Sequence, residues 1–152
     1  MPSGVLMDTG PFVAYLSDRE INHAWAVEQF AALDLPFVTC EPVLTEACFI
    51  AARNGVSPAR VLDVLARGVM RIGLQLDDEL PAIQALMARY ASVPMSLADA
   101  CLVRMAELTG LPICTLDTDF AIYRAHGRRV LSLISPTSSY GFHEAEDEGD
   151  SR

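Results

Sequence analysis

Four short, almost wholly apolar runs limit what this chain can fold into: Val5-Leu6-Met7, Phe37-Val38-Thr39, Ile113-Cys114-Thr115-Leu116 and the stretch from Val130 to Ile134. They are too short for core helices and do not alternate polar with apolar, as strands buried on both faces of a parallel sheet do. Longer stretches of helical pattern lie between them, over about 11–17, 22–33, 42–53, 57–65, 77–90 and 96–108, and a further helix is predicted from Asp117 to about His126. Pro11 and Pro58 sit where first helical turns accept proline. Asn22, Ser57 and Ser96 are placed to cap, and Asn54-Gly55 and Gly110 to terminate. A short strand within 71–76 completes an α/β pattern around a central parallel sheet. No repeat or linker interrupts residues 1–135, which read as one domain. Residues 136–152 form an acidic tail with the composition of a disordered segment.

Composition narrows the chemistry. All eleven basic residues are arginine, and lysine is absent. That removes the P-loop, whose lysine reaches the phosphates, and every lysine Schiff-base mechanism. The net charge is −9; setting aside the tail leaves fifteen acids against ten arginines, so the domain itself is mildly acidic. Contact with nucleic acid would have to come from local arginine clusters rather than from a general positive field. Cys40, Cys48, Cys101 and Cys114 are scattered in apolar surroundings without a C-x-x-C pair, as expected of buried free thiols in a reducing cytoplasm. No apolar run is long enough to span a bilayer and the first residues lack a basic signal region, so the expectation is a cytoplasmic protein with no membrane partner. Three histidines without i, i+4 spacing give no zinc signature.

The remaining charges carry the functional signal. Asp8 is the only charge before Asp18, at the end of the first strand. Glu46 is the only charge between Glu41 and Arg53, and Asp99 the only one between Arg89 and Arg104. Asp117 and Asp119 stand alone between Glu107 and Arg124. Each falls where the surrounding pattern predicts burial, and a buried carboxylate must either bind a proton or find a partner. Capping accounts for some of them singly: Asp8 and Asp117 precede predicted helices, and Ser96 with Asp99 has capping-box spacing. Asp119 suits a turn-orienting role, whereas Glu46, in mid-helix, has no capping explanation. Taken together they predict an oxygen-only site for Mg²⁺ or Mn²⁺, which accepts substrate phosphate and supports phosphodiester hydrolysis.

The motifs M-D-T-G-P-F, P-V-L-T-E-A, S-L-A-D-A and T-L-D-T-D-F occur in that order and at suitable spacing. In these the chain resembles the PIN-domain ribonucleases, close to the VapC-like toxins of bacterial toxin–antitoxin pairs, from Val5 to about Leu133. The resemblance implies a three-layer α/β/α sandwich and Mg²⁺- or Mn²⁺-dependent endoribonuclease activity with RNA as substrate. It further implies a homodimer and an antitoxin protein that covers the acidic pocket. Asp8, Asp99 and Asp117 would ligate the metal, with Glu46 as the fourth catalytic acid acting through water. Thr9, Ser96 and Asp119 would support them. Thr115, nearer the strand, is assigned a structural role. Arg124, Arg128 and Arg129 follow the fourth motif and are candidates for RNA contact. The family often carries Ser or Asn where this chain has Gly10. The alternative function is a catalytically silent PIN-like module that binds RNA or protein; a structure-specific DNA nuclease of this fold would need extra length for a helical arch.

Overall fold

The computed structural model describes residues 3–136. Its centre is a five-stranded sheet of β1 (Val5–Met7), β2 (Phe37–Thr39), β3 (Met70–Ile72), β4 (Ile113–Cys114) and β7 (Leu133–Ile134), in the order β3-β2-β1-β4-β7. Every pairing in it is parallel, with Leu6 opposite Val38 on one side and Ile113 on the other. Successive side chains of a strand point to opposite faces, and here both faces are covered. Leu6, Val38 and Ile113 pack with α5 (Leu76–Arg89) and α6 (Leu97–Thr109). Val5, Met7, Phe37 and Met70 pack on α1 (Thr9–Leu16), α3 (Glu41–Arg53) and α4 (Pro58–Ala66), while Ala26 of α2 (His23–Ala32) is buried beside them. Two apolar cores either side of one sheet make the three-layer α/β/α sandwich that the sequence predicts.

Gly4 sets the approach to β1. Its φ is +121°, and a Cβ there would lie 2.7 Å from the Pro36 carbonyl oxygen, so only glycine lets the two chains run this close. The helix ends follow local chemistry: the Ser57 hydroxyl caps α4 with Pro58 next to it, and Gly110, at φ 71°, closes α6 in the left-handed conformation. Asn22 precedes α2 but makes no side-chain cap.

The region after β4 departs from the expected helix. Only a 3₁₀ turn forms, over Thr118–Ala121, followed by a small antiparallel hairpin of β5 (Arg124–Ala125) and β6 (Arg129–Val130). Arg124 gives the reason: its Nη1 donates to the carbonyls of Ala121, Ile122 and Tyr123, at 2.7, 3.1 and 3.0 Å. Those carbonyls are thereby satisfied without a continuing helix. His126 and Gly127, both at positive φ, then turn the hairpin. Val130 accordingly belongs to the hairpin, and the last strand is confined to Leu133–Ile134. The strand expected within 71–76 is shorter and earlier, at Met70–Ile72. All four cysteines are free. Among the described residues no helix is long and apolar enough to cross a membrane. The acidic tail expected from 136 lies, beyond Pro136, outside the described residues.

Candidate active site

The strand order reverses direction between β1 and β4: the chain goes from β1 outward through β2 and β3, then returns to the other side of β1. In open α/β sheets, ligands bind outside the carboxyl ends of the strands at that switch point. Asp8 is the first residue beyond β1 there. Its amide donates to the Cys114 carbonyl at 3.0 Å, and the buried Thr39 at the end of β2 donates its hydroxyl to the Met7 carbonyl at 2.9 Å. The peptide carrying Asp8 is therefore held from both neighbouring strands.

Both Asp8 oxygens are engaged. Oδ1 accepts from the Thr9 amide at 2.7 Å, capping α1, and Oδ2 accepts from the Thr115 hydroxyl at 2.7 Å. The same Thr115 oxygen accepts from the Asp117 amide at 2.9 Å, so one hydroxyl fixes two acids. Thr115 is thus a site residue, although its place at a strand end reads as purely structural in sequence. Thr9, buried like Asp8, donates its hydroxyl to Glu46 Oε2 at 2.9 Å and ties α1 to α3.

Asp99 lies at the start of α6 in a full capping box: its amide donates to the Ser96 hydroxyl at 3.1 Å, and the Ser96 amide donates to Asp99 Oδ2 at 3.0 Å. Ser96 is therefore committed to holding Asp99. The Tyr123 hydroxyl makes a long 3.5 Å contact with the same oxygen, a neighbour that sequence alone had no means of finding because it arrives from beyond the 3₁₀ turn. Asp117 Oδ1 accepts from the Asp119 amide at 2.9 Å and caps that turn. Asp119 contributes its backbone amide to the turn. Asp8 caps α1 and Asp99 completes the capping box of α6, and the Asp99 charge acts on Asp8.

The burial expected of all four acids holds for Asp8, which is 7% exposed. Asp99 is half-buried, while Glu46 and Asp117 are exposed. Glu46 escapes because α3 turns only Val43, Ala47 and Ala51 inward, leaving even Phe49 on its outer side at 64% exposure. Asp117 escapes because the turn it caps lies at the open rim. Beside it, a hollow of about 240 Å³ is lined by Asn22, Thr115, Leu116, Asp117, Thr118 and Ala121 among others. Gly10 sits beneath Leu116: a Cβ on it would approach Leu116 Cβ to 3.2 Å.

The charges feel one another. Burial pushes the Asp8 carboxyl up from its ordinary 3.8 to about 6; the Thr115 and Thr9 donors oppose this, and the charges of Asp99 and Asp117 add to it. Asp99 is also raised, chiefly by burial and then by Asp117 and Glu46, with the Ser96 hydrogen bonds opposing. Tyr123 is held protonated by burial and by the Asp99, Asp119 and Asp117 charges. Arg124 is occupied with the carbonyls of its own turn; Arg128 and Arg129 are exposed on the hairpin.

Among the described residues, no three Asp, Glu, His or Cys side chains are close enough together to grip an ion as they stand. Asp8, Asp99 and Asp117 are each tied to their own helix or turn by capping bonds and Glu46 to the Thr9 hydroxyl, and mutual repulsion opposes closer approach. The donor set nonetheless fits a hard cation. It is all oxygen, and Mg²⁺ typically takes only one or two carboxylates while keeping several waters. A neighbouring divalent charge would also reverse the upward shifts at Asp8 and Asp99.

Fold and site together define an α/β/α domain with an acidic centre at the topological switch point. The chain belongs to the PIN domain family, whose model matches residues 5–125. Family membership points to nuclease chemistry, typically with a divalent metal. All four acids lie within the matched region, and Arg128 and Arg129 lie beyond it. Comparison with curated proteins finds no match.

Proposed function

We propose that this chain is a Mg²⁺- or Mn²⁺-dependent endoribonuclease and the toxin of a VapC-like toxin–antitoxin pair. The observation that carries this reading is the buried Asp8 just beyond β1 in a chain of the PIN domain family, with the charges of Asp99 and Asp117 acting on it. Asp8, Asp99 and Asp117 would hold the metal, with Glu46 joined to them through Thr9. Bound there, the metal would supply an activated water and charge neutralisation on the phosphate. The rest is the work of the chain. Thr115 and the Thr9 amide fix both oxygens of Asp8, so this carboxylate needs no reorientation during the reaction. The Ser96 amide, donating to Asp99 Oδ2, keeps Asp99 in one rotamer. The hollow beside Asp117 leaves room for part of the strand next to that acid.

The apolar surface at Phe49 and Leu62, 64% and 56% exposed, supports a homodimer through α3 and α4. An antitoxin segment would compete with RNA for the acidic rim. Arg128 and Arg129 are offered as phosphate contacts, and Arg124 as the residue that shapes the turn beneath them.

The test is cleavage of a circular single-stranded RNA, which only an endonuclease can open. Linear product with Mg²⁺ or Mn²⁺ and none with EDTA supports the reading. Binding of the RNA without cleavage at any metal concentration would replace it with the silent binding module.

A further inference from the structure

A second cavity, of about 420 Å³, lies where the segment after α1 meets the end of α3. Ser17, Arg19, His23, Asn54, Gly55 and Arg60 are among its lining residues. Three observations there point to one kind of ligand. Ser17 is 2% exposed, and its hydroxyl oxygen is buried without a hydrogen-bond partner; buried hydroxyls are seldom left so, because the desolvated group loses water and gains nothing. Arg19 and Arg60 border the same space, and among the described residues neither forms an ion pair. The Arg19 guanidinium lies beside Gly55 at the end of α3, 3.4 Å from where a Cβ would stand. A cation is also favoured there by the helix C-terminus. The other polar groups are spoken for: Asn54 Nδ2 donates to Glu20 at 2.7 Å, and His23 Nδ1 pairs with the Ala14 carbonyl at 2.7 Å.

Two arginines and a hydroxyl with no partner make a donor-rich cavity in an acidic protein, suited to a phosphate. Asp18, on the cavity wall, and Asp63, beside Arg60 in an adjoining hollow that Arg67 also lines, are the nearby counter-charges. Glu20, bonded to Asn54 on the same wall, is a third, so acids and arginines are equal in number here, but among the described residues none of these acids is ion-paired with Arg19 or Arg60. Asn22 lines the hollow beside Asp117, and His23, the next residue, lines this cavity.

We propose that the Ser17–Arg19–Arg60 cavity binds a backbone phosphodiester of the RNA strand being cleaved, some nucleotides away from the scissile bond. This rests on the endoribonuclease reading for the identity of the ligand, and it gives the strand a direction: from the carboxylates, past Asn22, into the cavity. The acids at the centre repel the strand, and cations at this second point hold it.

The test measures binding in a chain that does not cleave, so that failure of catalysis cannot be mistaken for failure of the cavity. Fluorescence anisotropy of a labelled single-stranded RNA is followed against KCl with Asp8→Asn as background. Arg19→Ala and Arg60→Ala should each weaken binding about 3- to 10-fold and lower the salt slope by roughly 0.7, the value for one phosphate contact on a single strand. Arg71→Ala, on the exposed edge strand β3, should stay within about two-fold. Ser17→Ala removes a buried hydroxyl without a protein partner, so it should melt no lower than its parent yet bind RNA a few-fold more weakly. Binding by the Arg19 and Arg60 variants equal to the parent, or an equal loss in Arg71→Ala, overturns the proposal. So does a Ser17→Ala chain that melts normally and binds fully. Inorganic phosphate that raises the melting temperature through Arg19 and Arg60 without competing with RNA would assign the cavity to the free ion, and the strand assignment would fall. If the wild-type chain proves unable to cleave RNA while these binding losses are found, the cavity stands and only the catalytic reading fails.

Discussion

Removing the charge of Asp8 should stabilise the metal-free protein. Between pH 3.8 and about 6 the folded chain holds a proton on Asp8 that the unfolded chain has released. Stability therefore falls as pH rises through that window and is level above it. A rise from 3.8 to about 6 corresponds to about 3 kcal/mol lost from the metal-free wild type at neutral pH. In Asp8→Asn the amide oxygen can still accept from the Thr9 amide, but the NH₂ group faces a Thr115 oxygen that already accepts from Asp117. One imperfect hydrogen bond costs about 1 kcal/mol. The net gain at pH 7 is about 2 kcal/mol, which for a chain of this size raises the melting temperature by roughly 4 to 8 °C. Near pH 4 the gain should vanish and the variant should become slightly the weaker of the two. Thermal melts of both proteins in EDTA from pH 4 to 7.5 make the comparison, and shared shifts such as that of Asp99 cancel in the difference. A variant less stable than wild type at pH 7, or a difference independent of pH, would refute the claim that Asp8 is a desolvated, charge-crowded carboxyl.

Thr115→Val removes the donor to Asp8 Oδ2 and the acceptor for the Asp117 amide. It should cost about 1 to 3 kcal/mol in denaturant melts and move the pH midpoint of the stability curve upward. Ser96→Ala removes the hydroxyl that accepts from the Asp99 amide but keeps the Ser96 amide that holds the Asp99 carboxylate, so a stability loss of about 1 kcal/mol is expected in thermal melts with metal affinity little changed. Gly4→Ala meets both a positive φ and the Pro36 carbonyl; a loss of about 3 kcal/mol or more is expected, read as poor expression or a lowered melting point. Gly10→Ser requires Leu116 to move by a few tenths of an ångström and gains helix propensity in return, so its melting curve should differ from wild type by less than about 1 kcal/mol.

Much of this fold is written in local pattern. The apolar runs at Val5–Met7 and Phe37–Thr39 became parallel neighbours because a strand hydrophobic on both sides has no stable place except inside a layered sheet. Ser57 and Ser96 cap their helices because their chemistry is complete within three residues. The segment after Asp117 was not legible in the same way. Phe120 and Tyr123 have helical spacing, but the turn is closed by Arg124 folding back on three carbonyls, an arrangement that propensity does not encode. The site was half legible. Charge isolation singled out the four acids, yet it could not say that Glu46 and Asp117 face solvent, since an apolar helix face reads as buried even where it is exposed. It also passed over Thr39 and Thr115, which act on Asp8 only through strand pairing.

The most direct measurement of the central claim is calorimetric titration of Mn²⁺ into the wild-type chain, Asp8→Asn and Asp99→Asn at pH 6 and pH 7.5. One saturable binding event is expected in the wild type, with more protons released at pH 6, where Asp8 is about half protonated. Both variants should bind at least about ten-fold more weakly. Equal affinity in all three proteins, or no binding to the wild type at millimolar Mn²⁺, would contradict that claim.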